Sequence, residues 1–224
     1  MFPLSDSARS TSFSFINIAL IAFTVFVFLQ QLITPDPEAF IYQYALVPAL
    51  VDFTRFETLL PFVTSIFLHG GFLHILSNMW FPWVFGDNIE DTFGSFFYPF
   101  VYLASGIIGG LSQYAFAPDS PIPMLGASGA VAGVLGAYFV LYAHSKIKTL
   151  VPIFGFVTIA EIPAPFMLGY WFVLQFISGA ISIPFISESG GVAFWAHVGG
   201  FLAGVVFAKL LRRNGTFHIS LLQN

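Results

Sequence analysis

Long apolar runs separated by short polar segments dominate the pattern of this chain. A run of about 20 apolar residues is long enough for one helix to cross the hydrocarbon core of a bilayer. The runs are continuous and lack the strict alternation of apolar and polar residues that marks a membrane β-barrel. The pattern therefore predicts a helical membrane protein with spans at residues 13–34, 71–86, 94–116, 128–144, 165–183 and 193–211.

The predicted fold class is an all-α bundle of six transmembrane helices over residues 13–213. We expect a cytoplasmic segment at residues 1–12 and a cytoplasmic tail at residues 214–224. The second and fourth spans are short for complete crossings, so they are expected to begin below the membrane surface, under a polar entrance.

Two segments between the predicted spans need a different interpretation. Residues 35–70 mix apolar runs with prolines and charged residues, which favours a position in the membrane interface. Residues 149–164 are interrupted by Pro152, Gly155 and Glu161. We predict an interfacial or partly inserted segment there, rather than a seventh span.

The basic residues indicate an orientation, because cytoplasmic loops of membrane proteins are enriched in Lys and Arg. With six spans and the N-terminus inside, only Arg55 falls outside. The basic residues that fall inside are Arg9, Lys146, Lys148, Lys209, Arg212 and Arg213. A seventh span would place the last three outside, so both termini are predicted to be cytoplasmic.

Composition supports the membrane assignment and excludes several classes of function. Hydrophobic residues make up 57 % of the chain and charged residues 8 %, whereas soluble domains carry roughly 25 % charged residues. There is no basic face for nucleic acid. The chain has no Cys, so disulfides, zinc–thiolate sites and thiol nucleophiles are excluded. No metal-binding spacing of His and Glu is present, and neither a metal nor a cofactor is expected.

Two polar residues at the start of apolar runs suggest chemistry. Ser128 opens the predicted fourth span and His197 lies near the start of the sixth, and both spans run from outside to inside. The two side chains are therefore expected at the same depth. A serine is a weak nucleophile until a base removes its proton, and ionisable residues within membranes are rare and usually functional. A serine that only bonds its own helix is the alternative.

A third catalytic member is not expected, because no Asp or Glu lies within these two spans. The residues thus predict a dyad rather than a triad. Gly129 and Gly133 in the fourth span, and Gly200 and Gly204 in the sixth, have the spacing that lets helix backbones approach closely in lipid. If the two helices pack with these glycine-lined grooves against each other, the serine and the histidine come within reach of each other. The alternative is that the glycines serve ordinary helix packing and have no catalytic consequence.

His74 and Asn78 of the second span are four residues apart and share one helical face. As donors aimed at a common point they are predicted to form an oxyanion hole with the backbone N–H of Ser128. The alternative is a hydrogen bond between helices, worth about 0.6 kcal/mol on average.

Together these residues resemble the rhomboid family of intramembrane serine proteases. The match consists of three motifs, which are His74-xxx-Asn78, Gly126-Ala127-Ser128-Gly129 and Ala196-His197-Val198-Gly199-Gly200 with Gly204. It covers roughly residues 55–210 and looks like the simple bacterial form, which implies a multi-pass protein of the bacterial inner (plasma) membrane. Gly126, with the four glycines named above, is assigned to helix-packing support.

The chain departs from the family pattern at two places. Many rhomboids carry a Trp-Arg pair in the first outer loop, where this chain has Leu60-Pro61. Many also carry an aromatic residue one turn after the serine, stacked on the histidine, where this chain has Ala132. A neighbouring aromatic residue, Trp195 or Tyr138, is the expected substitute.

The resemblance implies serine endopeptidase activity on single-span transmembrane proteins, cleaved near the outer end of their spans, with membrane lipid as the other partner. We hypothesise that the fifth span and the loop Pro184–Val192 form a lateral gate for the substrate. One alternative is a non-proteolytic relative that binds membrane helices. Another is a small transporter that uses His74 and His197 as a proton relay. The sequence leaves the oligomeric state open.

Overall fold

The computed structural model describes residues 1–153, 156–186 and 191–213. Within them the chain forms seven α-helices and three β-strands. The helices are α1 (Phe15–Ile33), α2 (Pro37–Tyr44), α3 (Pro61–Thr64), α4 (Phe72–Phe116), α5 (Ser128–Leu141), α6 (Ala164–Ser182) and α7 (Phe194–Arg213). The strands are β1 (Phe2–Asp6), β2 (Lys146–Ile153) and β3 (Phe156–Pro163). The predicted tail, residues 214–224, and residues 187–190 of the predicted gate loop lie outside the described residues.

Four stretches of the described chain are helical, long and apolar enough to cross a membrane: Phe15–Ile33, Phe72–Phe116, Ala164–Phe185 and Phe194–Leu211. The helix Ser128–Leu141 is apolar but shorter. At 1.5 Å per residue its 14 residues extend for about 21 Å, less than the ~30 Å of a hydrocarbon core. The predicted helical membrane bundle is therefore confirmed, with α5 as a short central member.

Helix α4 contains a break at Gly94, where φ is 74° and ψ is 156°. This backbone conformation is essentially restricted to glycine. A straight helix of 45 residues would extend for about 67 Å, more than twice the hydrocarbon thickness. The break divides α4 into a first half, 72–93, and a second half, 95–116, at the boundary between the predicted second and third spans.

Asn17 of α1 joins the two halves of α4. Its amide Nδ2 donates to the carbonyl oxygen of Pro82 at 2.9 Å, and the Tyr98 hydroxyl donates to its Oδ1 at 2.7 Å. The carboxylate of Glu90, itself buried, accepts from the backbone N–H groups of Ile16 and Asn17. These N–H groups lie in the first turn of α1, where a helix offers no partner of its own. The contacts fix α1 against the break in α4.

Helices α5 and α7 pack backbone against backbone at the centre of the bundle. A Cβ atom on Gly200 would lie 2.0 Å from the carbonyl oxygen of Gly129, and one on Gly204 would lie 1.9 Å from that of Gly133. Only glycine permits such an approach, so the four glycines of the two predicted grooves face one another. The residues of α5 from Gly129 to Tyr138 are buried.

A three-stranded antiparallel sheet in the order β1-β2-β3 corrects the all-α prediction. Residues 149–164, predicted as an interfacial or partly inserted segment, belong mainly to the β2–β3 hairpin, in which Lys146 pairs with Pro163 and Ile153 with Phe156. Its strands contain many Val, Ile and Thr residues, which fit a pleated strand better than a helix. The segment 1–12 provides the third strand, β1.

The sheet is attached to the end of the bundle at which α5 finishes. The Tyr138 hydroxyl of α5 and the Asn88 amide of α4 both donate to the Asp6 carboxylate. The Trp80 indole N–H donates to the carbonyl oxygen of Pro3 at 2.7 Å. Burial raises the pKa of Asp6 to about 6. At its other end, α5 begins with Ser128, which lines a cavity.

Candidate active site

A cavity of about 850 Å³ lies between α4, α5, α6 and α7. The four residues singled out from the sequence for catalysis and oxyanion binding, Ser128, His197, His74 and Asn78, all line it. Each comes from a different apolar stretch, apart from His74 and Asn78, which share the first half of α4. The fold therefore brings the predicted residues to one space.

Ser128 is the first residue of α5 and is half-buried. The turn before it depends on Gly126, which has a φ of 123° and whose N–H donates to the carbonyl oxygen of Ser65 at 2.9 Å. An L-residue rarely adopts this φ. The first N–H groups of a helix have no partner within the helix. The N–H of Ser128 is one of these, so it is available at the same place as the hydroxyl.

His197 lies in the first turn of α7 and is 9 % exposed. Its Nδ1 is 2.7 Å from the side-chain Oε1 of Gln175 in α6. A carbonyl oxygen only accepts, so Nδ1 is the donor and carries the hydrogen. In the neutral imidazole, Nε2 is then left with a free lone pair. This is the tautomer in which Nε2 can take a proton from a serine.

The hydrogen bonds of the described residues do not include one between Ser128 and His197. The two residues are nevertheless close to the tightest helix contact, because Ser128 precedes Gly129 and His197 lies three residues before Gly200. Catalytic hydrogen bonds are often long in an unliganded enzyme and tighten when substrate binds.

His74 and Asn78 converge on the turn before Ser128. A Cβ atom built on Gly126 would lie 2.8 Å from His74 Nε2 and 3.6 Å from Asn78 Nδ2. The Nδ1 of His74 accepts from the N–H of Gly70 at 3.3 Å, so the hydrogen of the neutral ring is on Nε2. The Asn78 amide donates one hydrogen to the carbonyl oxygen of His74 and has a second available. Two side-chain donors thus lie beside the serine turn.

The aromatic residues near His197 differ from those expected. Trp171 of α6 has its ring centroid 5.8 Å from that of His197, with an angle of 30° between the planes. Phe194 contacts the imidazole edge to face at 6.5 Å. Trp195 instead stacks on Phe116 at 3.8 Å, and Tyr138 bonds Asp6 at the far end of α5. The two residues that were expected to replace the aromatic side chain missing at Ala132 therefore do not stack on the histidine.

Sequence reasoning missed Gln175 and Trp171. The predicted fifth span contains no Asp, Glu, His, Lys or Arg, and none of its residues is among the predicted catalytic ones. Gln175 is nevertheless a polar amide in the middle of an apolar run, Trp171-Phe172-Val173-Leu174-Gln175-Phe176-Ile177. Such a side chain normally finds a partner on a neighbouring helix. This was the signal in the sequence that could have identified it.

The residues between 57 and 214 match the family model described as the Rhomboid domain. The Bacillus subtilis protein named rhomboid protease GluP is 41 % identical over 75 residues, which are 34 % of this chain and 14 % of that protein. The putative rhomboid protease YdcA of Bacillus subtilis is 38 % identical over 76 residues, 34 % of this chain and 38 % of that protein.

Similarity extends further along the chain in an Arabidopsis thaliana protein, the mitochondrial RHOMBOID-like protein 6. It is 28 % identical over 149 residues, which are 66 % of this chain and 42 % of that protein. This chain spans less than two thirds of the length of each of these relatives. The resemblance to the rhomboid family is confirmed by the family match, and the apolar helices make this an integral membrane protein. The chain belongs to the rhomboid family.

Proposed function

We propose that this protein is an intramembrane serine endopeptidase in which Ser128 is the nucleophile and His197 the general base. The observation that carries the proposal is the common cavity, which is lined by Ser128 at the start of α5 together with His197, His74 and Asn78. The names of the Bacillus relatives, which call them rhomboid proteases, support the same activity.

In the proposed reaction the Ser128 hydroxyl attacks the scissile carbonyl carbon while His197 Nε2 takes its proton. The negative charge that develops on the carbonyl oxygen is bound by the Nε2–H of His74, the amide of Asn78 and the Ser128 N–H. His197 then gives its proton to the leaving amine, and an acyl-enzyme remains. Water activated by His197 releases the acyl group and restores the serine.

The proposed substrates are single-span transmembrane proteins cut near the outer end of their spans. The shortness of α5 supports this depth, since a helix of 14 residues is too short to reach both faces of a membrane and its first residue, Ser128, lines a cavity. The first half of α4 and the second half would be separate spans, which gives six spans with both termini in the cytoplasm. The three basic residues Arg9, Lys146 and Lys148 line a second cavity beside the sheet, which is consistent with a cytoplasmic sheet.

We place the lateral gate at α6. Only 17 % of the most apolar 18-residue stretch of this helix is buried inside the bundle, compared with 56 % for the corresponding stretch of α7. A helix with so little buried surface can separate from the bundle at the smallest energetic cost. For the membrane itself we propose the bacterial inner membrane, supported by the two Bacillus relatives; mitochondrial and chloroplast membranes are the alternatives, given the names of other relatives.

The test is labelling of the purified protein with a fluorophosphonate probe, with the modified residue located by mass spectrometry. We expect labelling of Ser128 that is lost in both Ser128→Ala and His197→Ala. A folded native protein that does not react would contradict the protease and favour the second candidate, a rhomboid-family protein that binds membrane helices without cleaving them. Helix binding, like transport, would survive Ser128→Ala.

A further inference from the structure

We propose that Gln175 is the positioning residue of the base, holding His197 in the tautomer with hydrogen on Nδ1 so that Nε2 accepts the serine proton. The inference rests on the proposed function and adds a third member, Ser128–His197–Gln175, borne on three different helices. Where a serine protease triad uses a buried carboxylate, this chain would use a neutral amide. No carboxylate is required, in agreement with the absence of Asp and Glu from α5, α6 and α7.

The hydrogen bond itself supplies the first argument. A neutral imidazole has two tautomers, and the partner of one nitrogen decides which is populated. At 2.7 Å, the Nδ1–Gln175 bond is at the short end of the range for an N–H···O contact, and its imidazole partner is buried. With the amide oriented as it is in the structure, oxygen toward the ring, the opposite tautomer would direct the bare Nδ1 lone pair at that oxygen, two acceptors facing each other. The bond therefore selects the base-competent form.

The second argument is that α6 contacts the imidazole twice. Trp171 lies four residues before Gln175 and so shares its helical face, and its ring lies against that of His197. One residue fixes the plane of the imidazole and the other its rotation within that plane. Together they perform the orientation that the small residue at position 132 of α5 cannot provide.

The charge that develops on the base makes the bond stronger during the reaction. When Nε2 takes the serine proton, His197 becomes an imidazolium and its Nδ1–H becomes a charge-assisted donor. The proton on Nδ1 stays where it is throughout, and the amide oxygen stabilises the positive ring. A neutral oxygen does so less than a carboxylate, so the effect of losing Gln175 should be smaller than the ~10⁴-fold loss seen when a triad carboxylate is replaced.

The test compares three variants. Gln175→Leu removes the acceptor, Gln175→Glu keeps an acceptor oxygen, and Tyr170→Phe is the matched control. Tyr170 also belongs to α6, is 49 % exposed and does not line the cavity. Thermal unfolding in detergent establishes that each variant is folded.

The first readout is the rate of fluorophosphonate labelling at Ser128 as a function of pH. Gln175→Leu is expected to slow it about 10- to 100-fold, below the loss for a triad carboxylate, while Tyr170→Phe leaves it unchanged. Gln175→Glu should retain most of the rate, and the acidic limb of its pH profile should move to higher pH, because a carboxylate favours the protonated ring. A rate that Gln175→Glu retains and Gln175→Leu loses would identify the acceptor oxygen, rather than the volume of the side chain, as the feature that matters.

The second readout is the ¹⁵N NMR spectrum of the imidazole nitrogens, with the His197 signals assigned by their loss in His197→Ala. The native protein should show the Nδ1–H tautomer, and Gln175→Leu should lose that preference. Native labelling rates together with an unchanged tautomer in Gln175→Leu would overturn the inference. A native protein that never labels would defeat the protease proposal instead, and the NMR spectra would still decide whether Gln175 sets the tautomer.

Discussion

Gly200 of α7 packs so tightly on Gly129 of α5 that a Cβ atom on Gly200 would lie 2.0 Å from the Gly129 carbonyl oxygen. The obstacle is backbone, which cannot rotate away as a side chain can. This contact lies between the helix starts that carry Ser128 and His197. The separation of the proposed nucleophile and base therefore depends on the absence of a side chain at Gly200.

Gly200→Ala is expected to force the two helices apart and reduce fluorophosphonate labelling by at least about 100-fold, since a displacement of 1 Å at reacting groups costs that much. The inserted methyl group should also destabilise the fold by about 1–3 kcal/mol, measured as a lower Tm in detergent. Gly169→Ala in α6 is the control, because its Cβ would meet only Phe139 at 3.7 Å. Equal labelling by the two variants would contradict the argument.

A second prediction concerns Gly126, the residue at which the two side-chain donors converge. Gly126→Ala places a methyl group 2.8 Å from His74 Nε2 and strains a backbone with a φ of 123°. Loss of one oxyanion donor typically lowers kcat by about 10²–10³-fold, and we expect losses of that order for His74→Ala, Asn78→Ala and Gly126→Ala. The measurement is the turnover of a membrane-embedded single-span reporter.

The double variant Gly126→Ala with His74→Ala separates the two possible causes of such a loss. If the methyl group acts by displacing His74, the double variant should be no slower than the worse of the two single ones. Fully additive losses would mean that Gly126→Ala acts on the serine turn itself and not through His74.

Rare polar residues in apolar runs explain why so much of the site was predictable. Ser128, His197, His74 and Asn78 are conspicuous because a membrane helix has little reason to contain them, and their order along the chain matches the rhomboid pattern. Gln175 escaped notice because no second candidate lies near it in the sequence, as His74 does for Asn78, although burying an amide in a span without a partner is unfavourable.

The sheet was missed for a different reason. Apolar residues in the β2–β3 hairpin resemble a broken span when hydropathy alone is read, whereas their β-branched side chains favour a strand. Strand β1 pairs with β2 across more than 130 residues of sequence, as in the pair Phe2 and Leu150, and no local pattern reports such a partner. Helical spans, by contrast, form all their backbone hydrogen bonds within the segment, so the local sequence is enough to predict them.

A third prediction follows from the buried carboxyl of Asp6. Burial raises its pKa from 3.8 to about 6. Below pH 3.8 the group is protonated in both the folded and the unfolded chain. As the pH rises from 3.8 to 6, the unfolded chain releases the proton first. The free energy of unfolding therefore falls over this pH range, and the contribution of Asp6 to it is constant at higher pH. The partly exposed site limits the loss to about 2 kcal/mol.

Asp6→Asn keeps a neutral side chain at every pH and should remove most of that dependence. The measurement is the Tm in detergent at pH 4 and at pH 7 for the native protein and the variant. Tyr138→Phe, which removes one donor to the same carboxyl, is the matched comparison. Tyr138→Phe should show a larger fall in Tm between pH 4 and pH 7 than the native protein, because the ionised Asp6 carboxylate then accepts one hydrogen bond fewer. A variant Asp6→Asn with the native pH dependence would show that another group carries it.

The last prediction tests whether α6 is the gate. The chain has no Cys, so a cysteine pair introduced between α6 and the first half of α4, joined through a short reducible disulfide linker, is the only disulfide-linked crosslink. Closing it should abolish cleavage of a single-span reporter in liposomes, because a transmembrane helix must enter from the side. The same disulfide should leave fluorophosphonate labelling of Ser128 within a few-fold of native, since a small probe reaches the cavity from water. Reduction should restore cleavage.

A cysteine pair between α1 and the first half of α4 is the control, because it joins helices that pack together away from α6. It should leave both cleavage and labelling unaffected. The combination of lost cleavage and retained labelling is specific to a gate, because a disulfide that distorted the site would suppress both. It also bears on Gln175: a disulfide that keeps α6 docked keeps the Gln175–His197 bond, so labelling should persist with its native pH profile. Unchanged turnover of the reporter in the oxidised α6–α4 pair would exclude α6 as the entrance.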